Sequence, residues 1–204
     1  MEFDVAILGG GSAGYAAASS AQSQGASVAI VDPGPLGGLC ILRGCMPTKT
    51  ILRSSDIISL MHRAKEFGLL PVTAGADLAA INDRKNKLIG EFADYRIEQL
   101  KDSRFTLIEE KAEFISPNEV RVGTKTLKAK SFIISTGSVI ADYPIPGLIE
   151  TGFVTSDDVL TMRKAPESII VLGAGAVAVE LAQFFLRIGT QVTLLQRSTH
   201  ILSQ

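Results

Sequence analysis

The sequence predicts an α/β fold in which a strand, glycine turn, helix and strand follow one another twice. Three observations predict it. A short apolar run, Val5-Ala-Ile-Leu8, passes directly into Gly9-Gly10-Gly11-Ser12-Ala13-Gly14. A second run, Ile169-Ile-Val-Leu172, passes the same way into Gly173-Ala174-Gly175-Ala176-Val177-Ala178. The composition, 46% hydrophobic and 20% charged, is what strands buried on both faces produce, because such strands are continuous apolar runs.

In the first unit, Tyr15 to Gln24 is rich in Ala and Ser and predicts a helix that packs close to its neighbours, ended by Gly25. Ser27 to Val31 is the second strand, closed by Asp32 and Pro33. A turn-rich stretch, Pro33 to Gly38, leads into a segment with two cysteines. Helical patterns cover Pro47 to about Glu66 and Asp77 to about Lys101, with loop at Pro71 to Gly75. The period then shortens. Phe105–Ile108, Ala112–Ile115, Val120–Val122 and Thr126–Leu127 predict short strands in a meander. Ser131–Ser135 is another buried strand, ending in Thr136-Gly137-Ser138. Pro144, Pro146 and Gly147 mark a linker, so domains of 1–146 and 147–204 are expected. In the second unit Val179 to Ile188 is the helix and Gln191 to Leu195 the following strand. The repeated unit is a duplication of dinucleotide-binding architecture.

With 20 Lys plus Arg against 21 Asp plus Glu, the net charge of -1 argues against nucleic acid or an anionic membrane as main partner. No apolar stretch has the length of a bilayer span, and the N-terminus lacks the basic start of a signal peptide. A cytoplasmic location is the expectation.

Each glycine of the first turn has a physical task. Gly9 permits a tight turn, Gly11 lets backbone approach a pyrophosphate, and Gly14 allows helix to pack on strand. Ser12 and Ala13 open the helix, whose unpaired N–H groups and positive dipole end favour phosphates. Asp32 stands where a carboxylate accepts hydrogen bonds from ribose hydroxyls.

The chain has two cysteines, Cys40 and Cys45, in Gly37-Gly38-Leu39-Cys40-Ile41-Leu42-Arg43-Gly44-Cys45-Met46-Pro47-Thr48-Lys49. Their spacing points to redox chemistry. A metal is the weaker option, since zinc needs three or four ligands and His62 and His200 are remote in sequence. Two inert, buried cysteines are the other reading.

The segment Gly37 to Lys49 resembles the active-site signature of the class I pyridine nucleotide–disulfide oxidoreductases, the group of dihydrolipoamide dehydrogenase, glutathione reductase and mercuric reductase. The resemblance runs along the whole chain. It implies an FAD-binding, Rossmann-like three-layer domain with a β-meander, then the first part of a second Rossmann-like domain for NAD(P). Cys40 then matches the interchange thiol that meets substrate sulfur, and Cys45 the thiol beside the flavin. Lys49 matches the lysine near the flavin, and Glu180 the glutamate that pairs with it across two domains. Gly38, Thr136 and Gly137 match FAD-contacting positions. The segment from Glu180 to Thr199 looks most like mercuric reductase. The family often has a bulky aromatic where this chain has Ala176, which puts its usual gating of the nicotinamide site in doubt.

In the second turn Gly173 and Gly175 hold the first two fingerprint positions and Ala178 replaces the third glycine. After the strand ending at Leu195 comes Gln196-Arg197-Ser198 rather than a carboxylate, so Arg197 favours NADPH over NADH, unless it is simply solvated. The resemblance further implies a homodimer, a small-molecule dithiol, disulfide or metal-ion substrate, and a chain continuing well past this length. As it stands, the segment is expected not to turn over. An FAD-binding redox-sensing or interaction module without turnover is the alternative.

Overall fold

The computed structural model describes residues 1–141 and 144–202. The chain forms two compact units, Met1–Gly44 with Ile89–Ala141, and Cys45–Leu88 with Asp142–Gln204. The expected cut at 146/147 therefore does not coincide with the division by compactness, in which residues 45–88 go with the second glycine turn.

The elements to residue 141 are β1 (Glu2–Leu8), α1 (Ser12–Ser23), β2 (Val28–Val31), α2 (Gly38–Leu42), α3 (Cys45–His62), α4 (Leu78–Leu100), β3 (Thr106–Ile108), β4 (Ala112–Ser116), β5 (Glu119–Val122) and β6 (Lys125–Ile134). A single 3-10 turn, Ala64–Phe67, follows α3. Beyond residue 144 come α5 (Ser156–Val159), β7 (Ser168–Leu172), α6 (Ala176–Arg187) and β8 (Gln191–Leu195).

In the first unit the described strands form a six-stranded sheet in the order β3-β2-β1-β6-β5-β4. The β3/β2, β2/β1 and β1/β6 pairs are parallel, and β6/β5 and β5/β4 are antiparallel. Side chains alternate across it. Ala6, Leu8, Ala29 and Val31 face Val120, Val122 and Leu127 of the meander. Ile7 and Ile30 face the other way, against Ala18 of α1, Leu100 of α4 and Phe105. Both faces of β1 and β2 are thus covered, which is why their sequences do not alternate. Each fully buried Ile, Leu or Val contributes roughly 1.5–3 kcal/mol.

β6 differs from expectation. Thr126–Leu127 and the expected strand from Ser131 belong to one strand, not two, which ends at Ile134, one residue before the expected Ser135. Its start pairs antiparallel with β5 (Val122↔Lys125 to Glu119↔Lys128), and the rest runs parallel to β1 (Glu2↔Lys128 to Leu8↔Ile134). The shift from alternating Lys-Thr-Leu-Lys to an apolar run marks a change of partner, not a break. The helix α2 was also not expected, because five residues are too few to show a period.

In the second unit β7 and β8 pair in parallel from Ser168↔Gln191 to Leu172↔Leu195. Ile51 of α3, Leu78 of α4, Val159 and Leu160, and Leu181, Phe184 and Phe185 of α6 form its core. The start of α5 carries a capping box between Thr155 and Asp158. Its carbonyl end is satisfied from α4: Asn82 Nδ2 donates to Val159 O (3.3 Å) and Met162 O (2.7 Å), and Lys85 Nζ to Leu160 O (2.6 Å). Among the described residues no helix is long and apolar enough to cross a membrane.

Candidate functional site

The first glycine turn is fixed by close backbone contacts. Gly9 has φ +104°, and a Cβ there would lie 2.3 Å from Ser135 O. A Cβ on Gly14 would lie 1.8 Å from Gly9 O, so α1 begins hard against the end of β1. Gly9 N donates to Val31 O (2.8 Å), tying the turn to β2. Ser135, at the end of β6, shares its hydroxyl proton between Leu8 O (3.1 Å) and Gly9 O (2.9 Å). Sequence reasoning stopped one residue short of Ser135. Its signal was its place just before Thr136-Gly137, where β6 ends level with β1.

Helix α1 has Gly11 as N-cap and no side chain capping it. Its first intrahelical bond is Tyr15 N–H to Gly11 O (2.9 Å), and Ser12 and Ala13 are exposed. The N–H groups of this first turn thus face outward. At Gly11 a Cβ would meet only Gly38 Cα, at an ordinary 3.5 Å. The chain's own packing does not require glycine there, so an approaching outside group is the physical reason that remains. This cradle fits the pyrophosphate of FAD.

Asp32 has backbone partners of its own. It is only 9% exposed. Its Oδ2 accepts from Gly10 N–H (2.6 Å) and its Oδ1 from Gly34 N–H (2.8 Å). The carboxylate therefore staples the glycine turn to the loop after β2. Each oxygen keeps a lone pair for a ribose hydroxyl.

The loop to the cysteines approaches the same turn. Gly37 and Gly38 have φ +122° and +77°, and a Cβ on Gly38 would lie 2.4 Å from Gly11 Cα. Only glycine permits both the backbone angle and the approach. Cys40 follows on α2, half-buried, and Cys45 is the exposed first residue of α3. A Cβ on Gly44 would lie 2.9 Å from Leu39 O and 3.1 Å from Cys40 Cα. The residue bonded to Cys45 is thus folded back against Cys40. Pro47 is buried in the first turn of α3, where its missing N–H costs no helical bond.

Within the second unit, Lys49 Nζ of α3 makes an ion pair with Glu180 Oε1 of α6. Both residues lie in the second compact unit. Lys49 stands about one turn after Cys45, so the two share a helix face. Two groups that sequence reasoning did not single out brace this helix. Asp56 of α3 pairs with Arg187 of α6, and Arg84 of α4 donates to Thr50 O (3.2 Å).

The second glycine turn is looser. Gly173 has φ +96° and donates to Leu195 O (2.8 Å), while a Cβ on Gly173 or Gly175 would meet nothing within 4 Å. Gly175 caps α6 without a side-chain partner, again leaving first-turn N–H groups for an anion. Ala178 stands at the third position, half-buried. Arg197 is exposed just beyond β8, and Thr136 and Gly137 (φ +75°) are exposed at the end of β6.

Comparison with known proteins gives a consistent set of relatives. Mercuric reductase of Staphylococcus aureus is 37% identical over 201 residues, 98% of this chain and 37% of that protein. Dihydrolipoyl dehydrogenase of Acholeplasma laidlawii is 35% identical over 206 residues, 98% of this chain and 61% of that protein. Among solved structures, the Cu(II) complex of HOCl-induced flavoprotein disulfide reductase RclA from Escherichia coli matches with TM-score 0.82 and 27% identity, covering 98% of this chain and 43% of that one. The chain spans about two-fifths to three-fifths of the length of these relatives. Residues 3–204 match the family described as pyridine nucleotide-disulphide oxidoreductase, and the chain belongs to that family.

Proposed function

We propose that this chain is the N-terminal part of an FAD-dependent oxidoreductase that moves electrons between NAD(P)H and a Cys40–Cys45 disulfide. The observation that carries the reading is the continuity of one short path. Gly38 touches the Gly11 cradle, Cys40 follows two residues later, and Gly44 returns the chain to Cys40 just before Cys45. FAD, when bound, supplies a centre that takes up and gives out two electrons.

The chain's own residues have distinct tasks in this reading. Gly11, Ser12 and Ala13 offer backbone N–H groups to the FAD phosphates, Gly9 and Gly14 let the turn and helix pack closely enough to do so, and Asp32 holds the turn in shape and accepts from a ribose hydroxyl. Thr136 and Gly137 contact the same cofactor from the end of β6. The two thiols lose two protons and two electrons when they form the disulfide, and regain them when it opens. Cys40 exchanges with substrate, and Cys45 stands on the flavin side. Lys49, held by Glu180, sets positive charge on the helix face of Cys45. Gly173 and Gly175 bind the nicotinamide nucleotide, and Arg197 pairs with a 2′-phosphate, favouring NADPH.

For the substrate we propose a small disulfide or dithiol or a mercuric-type metal ion, in a cytoplasmic homodimer. Domains of 1–146 for FAD and 147 onward for NAD(P) belong to the same proposal, as does inactivity of residues 1–204 alone. Reductive titration of the whole protein tests the reading. It predicts uptake of two electrons beyond those the flavin holds, with appearance of two new titratable thiols. Uptake by the flavin alone, with the thiol count unchanged, contradicts it and favours a binding module without turnover.

A further inference from the structure

Helices α3 and α6 are joined by two ion pairs of opposite polarity. Lys49 on α3 meets Glu180 on α6, and Asp56 on α3 meets Arg187 on α6. The residue numbers rise by the same step on both helices, so the two lie side by side in the same direction. Between the pairs lies an apolar seam in which Ile51, Phe184 and Phe185 are at most 1% exposed. The pairs stand about 10 Å apart along the helix axis.

One contact of this kind is a pivot. Beside the apolar seam and the bond from Arg84 to Thr50 O, a second ion pair on this face fixes the rotation that one leaves free. Lys49 is also poorly suited to fix itself, being 59% exposed on a flexible stem, where isolated ion pairs contribute little. Arg187 is better covered, at 27%, and stands in the last turn of α6, where the helix dipole favours a cation. The far pair is therefore the firmer of the two.

We propose that Asp56 and Arg187 are positioning residues that fix the rotation of α3 on α6 and so hold Lys49, and Cys45 one turn before it, in their working places. The inference rests on the roles proposed above for Cys45 and Lys49. Neither Asp56 nor Arg187 touches the reacting groups.

The test uses the long-wavelength absorption that a thiolate gives beside an oxidised flavin, read in the two-electron-reduced whole protein at fixed pH and well below its melting temperature. Asp56→Asn removes a negative charge and Arg187→Gln a positive one. Acting only as distant charges, they would move the band in opposite directions. Acting by position, both lower it, each by about half. The exchanged pair, Asp56→Arg with Arg187→Asp, restores it. Opposite shifts overturn the proposal. So do unchanged bands in both single variants while Lys49→Met loses its band. A wild-type protein without the band would instead remove the underlying assignment of Cys45, and this inference with it.

Discussion

Gly14 and Gly175 occupy turns of one pattern but require glycine for different reasons. A methyl at Gly14 would be driven to 1.8 Å from a backbone oxygen, which nothing nearby can relieve. Gly14→Ala is expected to cost more than about 4 kcal/mol and to leave little folded protein, measured by soluble yield and denaturant midpoint. At Gly175, with φ -73° and open space, Ala changes stability by no more than about 0.5 kcal/mol. If the proposed phosphate site lies there, its cost should appear in nucleotide binding, about tenfold weaker by titration. Asp32 offers a third contrast. Asp32→Asn turns an amide NH2 toward one of two backbone N–H donors, so a destabilisation of about 1–3 kcal/mol is expected in urea unfolding. Loss of FAD affinity with unchanged apoprotein stability would show that Asp32 acts on ribose and not on the turn.

At the scale of elements, the contact of α4 with the end of α5 carries a pH signature. Lys85 is buried, and burial pulls its ammonium below the usual lysine range, with the nearby Asp83 pulling weakly the other way. Between its folded value and the unfolded value of about 10.4 the unfolded chain binds more protons, so stability rises with pH across that window. Lys85→Met should abolish this alkaline rise, measured as the difference between denaturant midpoints at pH 8 and pH 10. An unaltered difference would mean that the charge is not what burial penalises. Much of this level was legible in the sequence. The two glycine turns, their strands and α1, α4 and α6 follow from apolar runs and glycine punctuation. What escaped had no local period: α2 is too short, and β6 changes partner in mid-strand. The anchoring of α5 by Asn82 and Lys85 joins residues distant in sequence, which no window reveals. The Lys49–Glu180 pair was legible only through family resemblance, and Asp56–Arg187 through neither route.

At the scale of the whole molecule, one chain carries two glycine turns of one pattern, and the cysteine pair follows the first. If Arg197 reads a 2′-phosphate, Arg197→Glu should reverse the preference between NADPH and NADH, losing at least tenfold for NADPH in nucleotide titrations of the whole protein. Equal losses for both would place Arg197 outside the phosphate site. The proposed order of the thiols puts Cys45 at the flavin and Cys40 toward substrate. It is tested most directly by absorption spectra of the oxidised whole protein as Cys40→Ser and Cys45→Ser. If Cys45 stands at the ring as proposed, Cys40→Ser should show the long-wavelength band without any reductant. Cys45→Ser should show none. The same featureless flavin spectrum in both variants would contradict the account.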